Sequence, residues 1–160
     1  MNFKVFIRNI FIVTVATLVL SACATKTATL PSQIQGDVYT GTDTVEYLAK
    51  GVPDRVFFAT NESILTTASR DTLRKQAAWM RTNGSLSFTI EGHADERGTR
   101  EYNLALGERR ANAAKDYLMT YGISGNRLSV ISYGKERPVN SGSNPLAWSQ
   151  NRRSVTVKAN

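Results

Sequence analysis

From Leu86 to Glu91 apolar and polar residues alternate, with Leu86, Phe88 and Ile90 set against Ser87, Thr89 and Glu91. Side chains on a β-strand point to opposite faces in turn, so this stretch predicts a half-buried strand. Before it, Leu73, Ala77 and Met80 recur at steps of three and four, the spacing of one helix face. Thr66 or Thr67 is placed to cap that helix, and Asn83-Gly84 to stop it. Val56-Phe57-Phe58, after Pro53-Asp54, is a short apolar run that reads as a buried strand. Leu104, Ala111, Ala114, Leu118 and Tyr121 predict one face of a longer helix over 101–121, with Gly122 behind it. Two further strands follow, over 128–133 and around Val155 and Val157, separated by a loop over 134–149 that holds Pro138 and Pro145. The order is strand–helix–strand–helix–strand–strand. It predicts an α/β (α+β) sandwich over 44–160, with helices packed on one mixed sheet.

The start of the chain departs from this pattern. Lys4 and Arg8 precede an apolar stretch over 10–20, and small residues then lead to Cys23, the single cysteine. A basic start, an apolar stretch and a small-residue cut site make a secretory signal peptide over 1–22. A membrane-spanning anchor is the other reading, but a spanning helix needs about 20 apolar residues. Leu20-Ser21-Ala22-Cys23 resembles the lipobox of bacterial lipoproteins. That resemblance implies a covalent lipid on Cys23, no other cofactor, and cleavage just before the cysteine. Ala24 in place of Asp resembles an outer-membrane address. Residues 24–43 are rich in Thr with no lasting period, so 23–43 reads as a lipidated, flexible tether. About 20 such residues span roughly 25 Å as a coil.

Composition narrows the function. Hydrophobic residues make up 41% of the 160, enough for a real core, and no second cysteine exists to form a disulfide. The net charge is +7, of which Lys4 and Arg8 contribute two, leaving +5 once the signal peptide is removed. Basic charge can mean nucleic acid, but an exported protein does not meet it. An anionic envelope polymer, or simply a solvated surface, is left.

Polar chemistry concentrates over 91–100, Glu91-Gly92-His93-Ala94-Asp95-Glu96-Arg97-Gly98-Thr99-Arg100. This lies between a strand and a helix, where a rigid scaffold presents a binding loop. Asn103, Leu106 and Arg110 lie on one face of that helix. Asp95, in the loop before it, can approach the same face. Asp95 and Arg110 then have two readings: they pair with each other, or they face a zwitterion, the ammonium on Asp and the carboxylate on the Arg fork.

The strings GHADERGTREYN over 92–103 and LGERRANA over 106–113, with Tyr133-Gly134 and Asn151-Arg152-Arg153 later, closely resemble the OmpA-like domain family, in its branch of wall-binding lipoproteins. The resemblance covers roughly 54–158. It implies an α/β sandwich that holds peptidoglycan non-covalently through the diaminopimelate of the stem peptide. The family's ligand residues fall on Asp95 and Arg110. His93, Thr60, Asn61, Asn103 and Leu106 take supporting places around them. It also implies Tol proteins (TolB, TolA) as partners, an outer membrane held to the wall through the lipid anchor, and a role in cell division. One departure stands out: many relatives carry an Asp where this chain has Asn61, and Asn offers no charge.

The remaining chemistry is sparse. His93, the only histidine, reads as a brace for the loop through hydrogen bonds, since a metal would need more ligands nearby. Arg152 and Arg153 are either a solvated strand end or an attractor for acidic polymer. Trp79 and Trp148 read as packing residues. A cell-wall hydrolase is the competing function, with Asp95, Glu91, Glu96 and His93 as acid–base groups. Arg97, Arg100 and Arg110 should keep those acids ionised, and no nucleophile elbow or zinc pattern is present, so the chain reads as no enzyme. A flagellar-stator or porin-like relative would carry a spanning helix or a barrel in place of the lipobox.

Overall fold

The computed structural model describes residues 34–159. Its elements are β1 (Ile34–Gln35), β2 (Val38–Tyr39), β3 (Tyr47–Ala49), β4 (Val52–Pro53), β5 (Arg55–Phe57), α1 (Thr67–Thr82), β6 (Phe88–His93), α2 (Arg100–Thr120), β7 (Leu128–Gly134), α3 (Pro145–Asn151) and β8 (Arg153–Lys158). The main sheet has the order β5-β8-β6-β7. Only β6 and β7 run parallel; β8 is antiparallel to both its neighbours, with Ile90 opposite Thr156 and Val56 opposite Ser154. The mixed sheet covered by helices is the expected α+β sandwich.

Both long helices start on a threonine cap. Thr66 Oγ1 accepts from Ser69 N, and Thr99 Oγ1 from Tyr102 N, which satisfies a donor the first turn leaves open. Leu73, Ala77 and Met80 of α1 meet Ala111, Ala114 and Leu118 of α2 over Val56, Phe58, Phe88, Ile90 and Leu128 of the sheet side. The seat of α2 on the sheet depends on Gly92 and Gly107. A Cβ at Gly92 would run into the Gly107 carbonyl, and one at Gly107 into Ser132 Oγ. Two glycines thus let α2 approach β6 closely, and this brings Arg110 beside the loop after β6.

Four expectations need correction. Leu104 and Tyr121 are exposed rather than core. The buried arc of α2 runs through Asn103, Leu106, Gly107, Arg110, Ala111, Ala114 and Leu118, and Leu104 lies about 90° from its centre at 100° per residue. Tyr121 is the capping residue past the last turn. The loop over 134–149 gives way to α3, which Asn144 caps through Ala147 N, with Pro145 at the first helical position. The tether over 23–43 cannot include 34–43. There β1 and β2 form a hairpin, the buried Tyr39 packs edge-on against Phe57 at 4.8 Å, and Gln150 Nε2 donates to Asp43 Oδ2. Polar composition masked this packing, in which Tyr39 is the buried residue. Cys23, the signal segment 1–22 and the rest of the tether lie outside the described residues.

Candidate functional site

The site forms where three backbone segments converge. One is the loop from β6 to α2, which turns through Gly98 at a φ of +92°. Another runs from β5 to α1 and turns at Asn61, with a φ of +57°, a left-handed conformation that Asn tolerates better than most residues. The third is Arg152, just ahead of β8.

Asp95 is the focus. Its Oδ1 accepts from Arg97 N and Nε, both at 3.1 Å; its Oδ2 accepts from Arg97 Nη2 at 2.7 Å and Arg152 Nη1 at 3.2 Å. Burial acts to raise the carboxyl, but the bonds from Arg97 and Arg152 outweigh it and hold it below the usual carboxylate range. Asp95 is therefore an anion at neutral pH. Arg97 remains partly exposed and lies over the Trp148 ring at 4.4 Å. Trp148 Nε1 in turn donates to Glu96 Oε1 at 2.8 Å. Trp148 thus backs the loop, and Trp79 packs edge-on against Phe88.

Arg110 is fully buried and does not pair with Asp95. Its Nε donates to Glu62 O, its Nη1 to His93 O and its Nη2 to Ala59 O, at 2.8–2.9 Å. The guanidinium also faces the Phe58 ring at 5.3 Å. Burial, aided by Arg152, pushes its pKa down to about 10, so it keeps its charge at neutral pH. Of the two readings for Asp95 and Arg110, direct pairing is excluded. Both are buried, and each is held by other groups.

The supporting residues divide. Asn103 is buried and donates to Arg97 O at 2.8 Å, fixing the loop. Thr60 Oγ1 accepts from Arg97 Nη2 at 3.2 Å. Leu106 is buried on the same helix face, and Asn61 is exposed at the turn. His93 corrects the expectation of a side-chain brace. Neither ring nitrogen makes a hydrogen bond; its main-chain carbonyl holds the site through Arg110 instead. Burial, with Arg153, Arg55 and Arg137 nearby, pushes its pKa down to about 3. Arg152 and Arg153 are both buried, so neither is a solvated strand end. Arg153 donates to Arg137 O and Asn151 O. Arg152 binds Phe58 O at 3.1 Å, Asp95, and Asp37 of the β1–β2 turn.

Sequence reasoning missed Arg152 and Asp37 as members of the site. Asp95 and Arg152 are 57 residues apart, and only the sheet order joins them. Arg97 was legible as a partner, since an Asp two residues before an Arg can accept from that residue's backbone N–H.

Two long helices packed on a mixed sheet, with a cluster of buried charges at the end of β6, define an α+β domain. The OmpA family model matches residues 57–152. The chain belongs to the OmpA family. It is 47% identical over 155 residues to a peptidoglycan-associated lipoprotein of Rhizobium meliloti (strain 1021), covering 94% of this chain and 88% of that protein. To the protein of that name from Brucella melitensis it is 46% identical, covering 88% and 85%. Among solved structures, the peptidoglycan-associated lipoprotein of Burkholderia pseudomallei superposes with a TM-score of 0.65 at 34% identity, over 66% of this chain and 90% of that one. The C-terminal domain of Helicobacter pylori MotB reaches 0.62 at 18% identity, over 67% and 84%, and shares the fold.

Proposed function

We propose that this chain is an envelope lipoprotein that binds peptidoglycan without a covalent bond, holding the diaminopimelate of the stem peptide at the pocket of Asp95 and Arg110. The observation that carries this is the Asp95 carboxylate, buried yet ionised between Arg97 and Arg152. It offers an anion for the ligand's ammonium, and Arg110 and Arg152 are the cations beside it for the carboxylate. An acid held ionised by two guanidiniums cannot donate a proton, which argues against the use of Asp95 in hydrolysis. The same reading makes the chain a tether, with no catalytic role. A lipid on Cys23 anchors it to the outer membrane, its domain faces the periplasm, and the Tol proteins TolB and TolA engage it during division. The lipobox-like segment over 20–23 and the relatives' name, peptidoglycan-associated lipoprotein, support the lipid anchor. Changing Cys23 to Ser removes the thiol that would carry the lipid. The precursor should keep its signal segment, and intact mass would show it; a normally processed Ser variant would sink the anchor.

Binding is tested by pull-down on purified peptidoglycan. Asp95→Asn should weaken it by about 2–4 kcal/mol, since the ligand's ammonium then meets a neutral amide. Blocking the free amine of the ligand should mimic that change. Combined with Asp95→Asn it should add little. Additive losses would mean that Asp95 does not face that amine. A steep fall in binding between low and physiological salt would point to bulk attraction of the basic surface instead.

A further inference from the structure

The carboxylate of Asp37, at the turn between β1 and β2, is seated as a ligand would be. Its Oδ2 accepts from Thr60 N at 2.5 Å and its Oδ1 from Arg152 Nη2 at 2.8 Å. Its main-chain carbonyl accepts from the same Nη2. Arg152 Nη1 holds Asp95 on its other side, and Arg97 reaches Thr60 Oγ1. The slot is thus a main-chain N–H flanked by two guanidiniums, against the Asp95 carboxylate. That chemistry accepts a carboxylate. The hairpin filling it has two residues in each strand and a Gly36 turn at a φ of +62°. A hairpin this short is not stable alone. Its buried Tyr39 anchors it on Phe57, while the Asp37 side chain is 52% exposed.

We infer that the β1–β2 hairpin is a tethered competitor for the wall-binding pocket: Asp37 fills the carboxylate slot of Thr60 and Arg152, and a wall peptide must displace it to bind. The inference rests on the pocket being the peptidoglycan site. Burial acts to raise the Asp37 carboxyl, but the bonds from Thr60 and the charges of Arg152 and Arg97 outweigh it and keep it below its ordinary range. The finger therefore stays charged and competes as an anion. Apparent affinity falls by the fraction of molecules with the slot open. A hairpin closed nine times in ten weakens binding about tenfold.

The test measures binding of a stem tripeptide ending in diaminopimelate to the full chain in detergent. Asp37→Ala should bind about tenfold more tightly than the natural chain. Asp37→Asn, which keeps the shape and loses the charge, should fall between them. Saturating tripeptide should also speed amide hydrogen exchange over residues 34–39 of the natural chain. Equal affinity of the natural chain and Asp37→Ala overturns the competition and leaves wall binding standing. Weaker binding by Asp37→Ala also overturns it, since Asp37 would then help hold the ligand. If none of the three proteins binds the tripeptide or purified peptidoglycan, the wall-binding reading itself fails, and the inference with it.

Discussion

Arg110→Ala should lower the thermal midpoint by on the order of 15 °C, before any ligand is considered. The guanidinium is fully buried and ties Glu62 O, His93 O and Ala59 O together. Those carbonyls belong to the loop after β5 and to the end of β6, which Arg97 and Arg152 bridge separately through Thr60, Phe58 and Asp95. Removing the fork leaves three acceptors without their donor in a dry site. An orphaned buried acceptor costs about 1–3 kcal/mol, and relaxation offsets part of the sum, so about 3–5 kcal/mol is expected. At several degrees per kcal/mol for a domain of this size, that gives the stated shift. Arg110→Lys should recover only a little, because one ammonium cannot reach three divergent carbonyls. Thermal melts followed by circular dichroism decide it; an Ala variant with an unchanged midpoint would show that the three bonds contribute nothing net. A second consequence bears on function. Loss of wall binding in Arg110→Ala would not by itself prove ligand contact, so Asp95→Asn is the cleaner probe.

Acid should destabilise the domain through His93 before the carboxylates begin to protonate. Its ring is buried, makes no hydrogen bond, and faces the cations Arg153, Arg55 and Arg137; the Glu91 carboxylate stands 3.6 Å from Nε2. The folded pKa of about 3 lies below the ordinary 6.5. Between those values the unfolded chain carries a proton that the folded one refuses. Stability is therefore fully present above pH 6.5 and falls as pH falls towards 3. One proton gives a slope of about 1.4 kcal/mol per pH unit, so about 2 kcal/mol is lost between pH 7 and pH 5. Asp95 and Asp37, whose pKa values are also lowered, add to the loss only near pH 4 and below. Urea unfolding at pH 7 and pH 5 reads the difference. His93→Phe, which cannot titrate, should flatten it. A natural chain equally stable at both pH values would mean that His93 takes up its proton as readily folded as unfolded.

Much of the fold was legible because the signals were local. The alternation over 86–91 and the steps from Leu73 to Met80 each reflect one element facing one core, and both lie where expected. Helix α3 was also written locally, in Asn144-Pro145, a cap followed by a first-turn proline, but the glycines and prolines around it read as loop. The hairpin of 34–39 was not legible, since its burial depends on Phe57 arriving beneath Tyr39. The site divides the same way. Asp95 and Arg110 stood out by spacing along one loop and one helix. Their partners did not: which carbonyls a guanidinium finds depends on how the sheet is ordered. A buried Arg and a ligand-gripping Arg have the same sequence signature, and only packing separates them.

The position of β8 affects how the molecule is made. A ribosome delivers β5 and β6 early, yet the two strands never touch; β8 lies between them. Until residues 153–158 emerge, the sheet is two pieces with a gap, and Arg152 is not yet there to bind Phe58, Asp95 and Asp37. Pairings this distant along the chain close slowly. The contacts of Arg152 with Phe58, Asp95 and Asp37 are thus made in the same step that joins the two pieces of the sheet.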